Sequence, residues 1–417
     1  MFETKRTPAR HQWVSARGGA ETAIVLGVMR RRGTLDAILS TYSSRKLPLL
    51  KPETRTILRA GLFELLYLDG SPDHAVVDAA VENVRRMGRP QDVSFVNALL
   101  RGIRRAVQRV DLAGATDRRR ALPREEFAWY FPRSVFPDRN HDAAGFLAAR
   151  GSTARWIAER RLEEHGLERA LRILDAQAET PATHIRPAPG TRETVRETLE
   201  AAGVPVSDGP HDALLTLPPQ VRMSEVFELC GGEIVVQDAV ASQVAPFLAP
   251  EPGWRVLDYC AAPGGKATHL AQLGADVTAW DIDAERLDKV RENAERLGLT
   301  NLVCAEPDGT YDAVLVDAPC SNSGVLARRP EARWRVKKKH LGNLIERQNK
   351  LLRVAAEHVR PGGVLVYSTC SIEPDENRGV VDTFTARGGA VLERDHTCYP
   401  DEWRGDGGYM ARLVIAG

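Results

Sequence analysis

From Val235 to the C-terminus the chain alternates short apolar runs with amphipathic segments, and this alternation restricts its fold more than any other feature. Strand signals at Trp254–Asp258, Val277–Asp281, Asp312–Asp317 and Gly363–Ser368 are separated by helical periodicity at 266–273, 284–297 and 344–359. A helix at 375–384 and a last strand at 409–415 follow. Strands spaced by crossover helices dictate a mainly parallel sheet, an α/β domain. Four of the strands end on a polar residue: Asp258, Asp281, Asp317 and Ser368. Ligands of open α/β sheets bind at that carboxyl edge.

Upstream the pattern is helical, from about Ala16 to Arg105. Residues such as Ile57, Leu58, Leu62, Leu65 and Leu66 recur at three-to-four-residue spacing. Gly33-Thr34 reads as the end of one helix and the cap of the next, Pro52-Glu53 as a helix start, and Ser71-Pro72 as a break. The expected organisation is multidomain: an all-α segment 1–125, a proline- and charge-rich linker 126–152, a small α+β subdomain 153–234, and the α/β domain 235–417.

A formal charge of +1 excludes a uniformly basic nucleic-acid binder but leaves room for a local basic face. No run is apolar enough for a membrane span. Met1–Arg6 has no apolar core after its charges, so the expected setting is the cytoplasm. The six cysteines form no Cys-x-x-Cys pair, and no metal is expected. Cys230, Cys304 and Cys398 read as buried hydrophobes.

After Asp258, Cys260-Ala261-Ala262-Pro263-Gly264-Gly265-Lys266 forms a strand–glycine loop–helix junction where backbone can approach a ligand. It matches neither Gly-x-Gly-x-x-Gly nor Gly-x-x-x-x-Gly-Lys-Ser/Thr, which weakens a pyrophosphate reading. Asp281, ending the next strand, suits ribose hydroxyls. A nucleoside cofactor with no required pyrophosphate fits, namely S-adenosylmethionine; a simple chain turn at Gly264-Gly265 is the alternative.

Two thiols also follow strand ends: Cys320 in Leu315-Val316-Asp317-Ala318-Pro319-Cys320, and Cys370 in Tyr367-Ser368-Thr369-Cys370-Ser371. Beside a methyl donor, thiols suggest addition to C6 of a pyrimidine, which makes C5 nucleophilic. Asp317 suits a hydrogen bond or proton at N3. Between the thiols, Arg328, Arg329, Arg333 and Arg335 flank Trp334, a mixture suited to single-stranded RNA and base stacking. A solvated loop is the bland alternative.

Val236-Gln237-Asp238 with Ser242, Cys260 to Lys266, Asp281-Ile282-Asp283, Asp317 to Cys320 and Ser368-Thr369-Cys370-Ser371 resemble the motifs of the Nol1/Nop2/Sun family of RNA cytosine-5 methyltransferases. The front end resembles the NusB-like domain, through Leu35-Asp36, Leu58-Arg59-Ala60-Gly61, Ala75-Val76-Val77-Asp78-Ala79-Ala80-Val81 and Phe95-Val96-Asn97-Ala98-Leu99-Leu100-Arg101. Such domains bind RNA or transcription-complex partners. The combination is similar to the bacterial Sun/Fmu branch.

The resemblance implies a C-terminal Rossmann-like methyltransferase domain that methylates a cytosine of small-subunit (16S) ribosomal RNA. It places Cys260, Ala261, Ala262, Pro263, Gly264, Gly265, Lys266, Asp281, Asp308 and Asp317 around S-adenosylmethionine. Cys370 takes the nucleophile's position and Cys320 that of the thiol assisting product release, with Asp317 and Lys266 completing the catalytic set. A monomer acting on ribosomal RNA, without membrane or metal, is expected. The chain departs from the family at Ser321-Asn322-Ser323-Gly324, where Ser-Gly-Thr-Gly is usual, and in the short Gly309-Thr310-Tyr311 after Asp308. A non-catalytic RNA-binding or ribosome-assembly factor on the same scaffold is the main alternative, but it need not keep both thiols. A nicotinamide dehydrogenase is disfavoured by the missing Gly-x-Gly-x-x-Gly.

Overall fold

The computed structural model describes residues 19–403 and 406–417; the Met1–Arg6 reading and the first residues of the expected helical run lie outside them. The chain divides into two compact units, the first ending at Ala178 and the second starting at Glu179.

In the first unit, helices Ala20–Tyr42, Pro52–Tyr67, Asp73–Arg86 and Val93–Ala106 enclose a core that includes Leu35, Ile38, Leu58, Leu62, Val84 and Leu100. Pro52 opens its helix, where a missing N–H costs nothing. Gly33-Thr34 does not break the chain as expected, because the first helix runs through it. The small residues admit a close neighbour instead. Gly33 N donates to Ser152 Oγ (2.8 Å) and Thr34 Oγ1 to Ala149 O (3.0 Å), at the C-terminal end of helix Ala143–Arg150 and just beyond it.

Residues 126–152, expected as a linker, are folded. Strands β1 (Gln108–Val110), β2 (Ala121–Pro123) and β3 (Ala128–Tyr130) form an antiparallel sheet in the order β1-β3-β2. Phe131, Val135, Phe136 and Phe146 bury into the helical core. Pro132 and Pro137 sit in irregular backbone among them, so burial comes without periodicity. Helix Arg155–Ala178, kinked at Gly166 (φ 69°), completes this unit rather than joining the small subdomain after it.

The second unit opens with β4 (Thr183–Pro187), β5 (Ser207–Asp208), β6 (Leu215–Leu217) and β7 (Ile234–Val236), an antiparallel sheet in the order β5-β6-β4-β7. The larger sheet contains β8 (Arg255–Asp258), β9 (Asp276–Ala279), β10 (Leu302–Cys304), β11 (Tyr311–Asp317), β12 (Val359–Thr369), β13 (Ala390–Cys398) and β14 (Gly408–Ile415). Its order is β10-β9-β8-β11-β12-β14-β13, with β8 to β12 parallel and the last two antiparallel, a Rossmann-like arrangement. The alternation reading omits β10, which is only three residues long, and β13, a polar edge strand. Among the described residues no helix is long and apolar enough to cross a membrane.

Candidate active site

The order of strands reverses between β8 and β11, and the crevice at that point is where open α/β sheets hold ligands. Asp258 ends β8 almost fully buried, with neither carboxylate oxygen hydrogen-bonded. Burial, reinforced by Asp317 and opposed by Lys266, pushes its carboxyl up to about 7. The glycine loop follows. Gly264 adopts φ 103°, and a Cβ there would stand 3.2 Å from Val290 Cα, so this turn needs glycine. Gln237 braces the loop: its Nε2 donates to Gly265 O (3.1 Å), while Arg186 Nε donates to its Oε1 (2.7 Å). Asp281 lies just beyond β9 and accepts from Ala262 N (3.3 Å) and Asp283 N (3.0 Å), beside the 79% exposed Ile282.

Pairing of β11 with β12 sets Asp317 opposite Ser368 and brings the two thiols together. Lys266 Nζ donates to Asp317 Oδ2 (2.7 Å) and Ser368 Oγ to Oδ1 (2.9 Å). Burial alone would depress the Lys266 ammonium, but the carboxylate it touches outweighs this and raises it. Cys320 Sγ and Cys370 Sγ stand 3.2 Å apart. The hydrogen bond between them pushes Cys320 well up, with burial and Glu376 adding to it. The same bond pulls Cys370 down against burial and Asp317, and Lys266 and Arg329 assist it. A cleft of about 70 Å³ runs from Asp238 past Val240 and Val244 to Lys266, Asp317 and Cys370.

Asn322 explains the departure from Ser-Gly-Thr-Gly. It sits at φ 62°, a left-handed conformation that glycine adopts freely and asparagine tolerates. Its Nδ2 donates to Cys320 O (3.0 Å), and its Oδ1 accepts from Cys370 Sγ (3.3 Å). Gly324 lies against the second thiol loop, where a Cβ would be 2.8 Å from Cys370 O. Buried Glu376 is a participant that the sequence did not indicate; it accepts from Ser321 N (2.8 Å), Ser321 Oγ, Ser371 Oγ (2.7 Å) and Gln348 Nε2 (3.0 Å). Its context, an acid near an expected helix start, gives no sign of this.

Not every expected residue arrives. Asp308 pairs with Arg255 (2.9 Å) and accepts from Tyr311 Oη (3.1 Å), at the starts of β8 and β11 and thus on the opposite edge of the sheet. Only six residues link β10 to β11, so the chain must descend at once. Of the basic run, Arg333 is fully buried and Arg328 is held by Asp406 and by Ala182 O (2.9 Å). Arg329 and Arg335 are exposed and Trp334 is half-buried. Cys260 packs beside Tyr259 and Trp280, and burial raises its thiol. Cys230 and Cys398 are buried as expected, while Cys304 is half-buried. Among the described residues no group of three potential metal ligands converges.

A family model described as 16S rRNA methyltransferase RsmB/F matches residues 245–413, and a NusB family model matches residues 9–105. Ribosomal RNA small subunit methyltransferase B of Xylella fastidiosa (strain Temecula1) is 34% identical, covering 94% of this chain and 88% of that one. The protein of the same name from Salmonella paratyphi C is 31% identical, covering 94% and 89%. Among solved structures, PH0851 is similar in fold, with a TM-score of 0.73 at 24% identity, covering 94% of this chain and 89% of that one. NSun6 from Pyrococcus horikoshii, solved with SFG, gives 0.57 at 22%, covering 62% and 97%.

Proposed function

Because the chain belongs to the 16S rRNA methyltransferase RsmB/F family, we propose that it methylates C5 of a cytosine in small-subunit ribosomal RNA through a covalent cysteine–C6 adduct. Family membership carries the coarser activity, S-adenosylmethionine-dependent methylation of small-subunit ribosomal RNA. The observation that supports the finer reading is the pair of thiols 3.2 Å apart beside the Lys266–Asp317 ion pair.

The crevice suits the cofactor. The buried carboxylate of Asp258, eased only by the charge of Lys266 and the backbone N–H of Cys260, suits a further cation such as the methionine ammonium, and Asp281 suits the ribose hydroxyls. When bound, S-adenosylmethionine supplies an electrophilic methyl group. Cys370 points its proton at Asn322 Oδ1 in the resting site; once that proton is lost to solvent, its thiolate, favoured by the S–H donation of Cys320 and by the charges of Lys266 and Arg329, adds to C6. Asp317, held by Lys266 and Ser368, relays a proton from the Lys266 ammonium to N3 as charge builds on the ring. The electron pair released at C5 would take the methyl group as its bond to the donor sulfonium broke, with S-adenosylhomocysteine leaving. Loss of the C5 proton to water re-forms the C5–C6 double bond as the C6–sulfur bond breaks, and Cys370 departs as thiolate. Cys320, which retains its proton, assists that departure. Arg329, Arg335 and Trp334 are the members of the basic run placed to meet the RNA.

Incubation of labelled cofactor with unmethylated small-subunit RNA should give base-resolved 5-methylcytosine; no transfer to any RNA would sink the reading. Cys370→Ala should reduce transfer below detection, whereas Cys320→Ala should accumulate an RNA–protein adduct resolved by denaturing electrophoresis. The reverse pattern would exchange the two roles.

A further inference from the structure

We propose that Glu376 is the positioning residue of the thiol pair: its carboxylate ties the two thiol loops together and fixes which thiol donates to the other. This rests on the reading of Cys370 as nucleophile, but its geometry is independent of the substrate. Ser321 and Ser371, the residues immediately after Cys320 and Cys370, both donate to the one buried carboxylate. Ser321 N (2.8 Å) and Gln348 Nε2 (3.0 Å) complete four donors, and Gln348 also holds Pro319 O (3.0 Å). Tyr367 Oη, on β12, donates to the backbone carbonyl of Glu376 (2.7 Å), so the latch itself is pinned.

Four donors call for an acceptor-only group, and an ionised carboxylate is the side chain that supplies one. Its charge acts on the Cys320 side of the pair, which also faces Tyr367. Cys370 faces Asp317, Lys266 and Arg329. A negative charge behind Cys320 keeps the proton there, so within the pair Cys320 donates to Cys370, whose own proton points at Asn322 Oδ1 (3.3 Å) until it ionises. Glu376 thereby acts on the nucleophile through its neighbour, without touching substrate.

The test is site-resolved alkylation of the full chain with limiting iodoacetamide across pH, read by peptide mass spectrometry. The wild type should be labelled at Cys370 far more than at Cys320. Glu376→Gln should lower the Cys370:Cys320 ratio about tenfold, the equivalent of one pKa unit. Glu376→Asp, which keeps the charge, should restore most of it. Cys230 and Cys398, both buried, report folding by staying unlabelled. An unchanged ratio in folded Glu376→Gln overturns the proposal. Should that variant not fold, Ser321→Ala removes one tether and keeps the charge; the pH midpoint of Cys370 labelling should then rise as the donation from Cys320 loosens. An unchanged midpoint likewise overturns it. The readout needs no RNA, so a failure of methyl transfer bears only on the proposed function.

Discussion

Asp258 shows what one buried charge does to this molecule. Its folded pKa of about 7 lies above the unfolded value near 3.8, so between those values the folded chain keeps a proton the unfolded chain has lost. Stability therefore falls as pH rises from about 4 to about 7 and is flat above, a penalty on the order of 4 kcal/mol at one pKa unit per 1.36 kcal/mol. Asp258→Asn should raise the urea midpoint at pH 8 and scarcely change it at pH 4, while weakening cofactor binding. An equal gain at both pH values would contradict this account. At this scale the sequence points to Asp317, Cys320 and Cys370 because they sit at or just after strand ends, and to Lys266 because it follows the glycine loop into its helix. Glu376 is not legible because its partner Ser321 is 55 residues away. Asp308 misleads because its motif context survives while the connection that would lift it to the cofactor edge is short.

Between elements, the site depends on how closely two loops pass. Gly324 N donates to Cys370 O (3.0 Å), and Gly407 N donates to Gly324 O (2.8 Å), leaving no room for a methyl group. Gly324→Ala should cost about 1–3 kcal/mol by overpacking, measurable in urea, and should reduce methyl transfer even at temperatures where the variant stays folded. Full activity in a folded variant would show that thiol spacing is not set here. The parallel alternation in sequence is enough to place β8, β9, β11 and β12. It cannot distinguish Gly33-Thr34 as a break from Gly33-Thr34 as a close contact, because the deciding partner, Ser152, is distant in the chain. The aromatic residues of 126–152 bury without a period, and periodicity is the signal that separates a strand or helix from a linker.

For the molecule as a whole, each unit has a core of its own, so each should fold alone. A fragment spanning 179–417 should melt cooperatively, and S-adenosylmethionine at one hundred times its Kd should stabilise it by about 2.7 kcal/mol. A non-cooperative melt, or no thermal shift, would mean that the division at Ala178 is not a folding boundary. The overall architecture is legible because it follows from which segments are helical and which alternate. The grouping of helix Arg155–Ala178 with the first unit is not, since it depends on packing partners rather than on its own pattern.

The thiol loops hang from two interior strands of the larger sheet, each paired on both sides. From Ala313 to Asp317, β11 is paired without interruption to β12, which is paired over six positions with β14 on its other side. Native-state amide exchange follows such connectivity, with the most enclosed ladders opening only near global unfolding. Amides of Leu315, Val316, Leu365 and Val366 should thus exchange among the slowest, and those of the two-residue β5 among the fastest. Comparable rates would refute this ranking. Were the periphery to breathe, the sulfur spacing would outlast it, and the nucleic acid would have to deform to meet a fixed chemical centre.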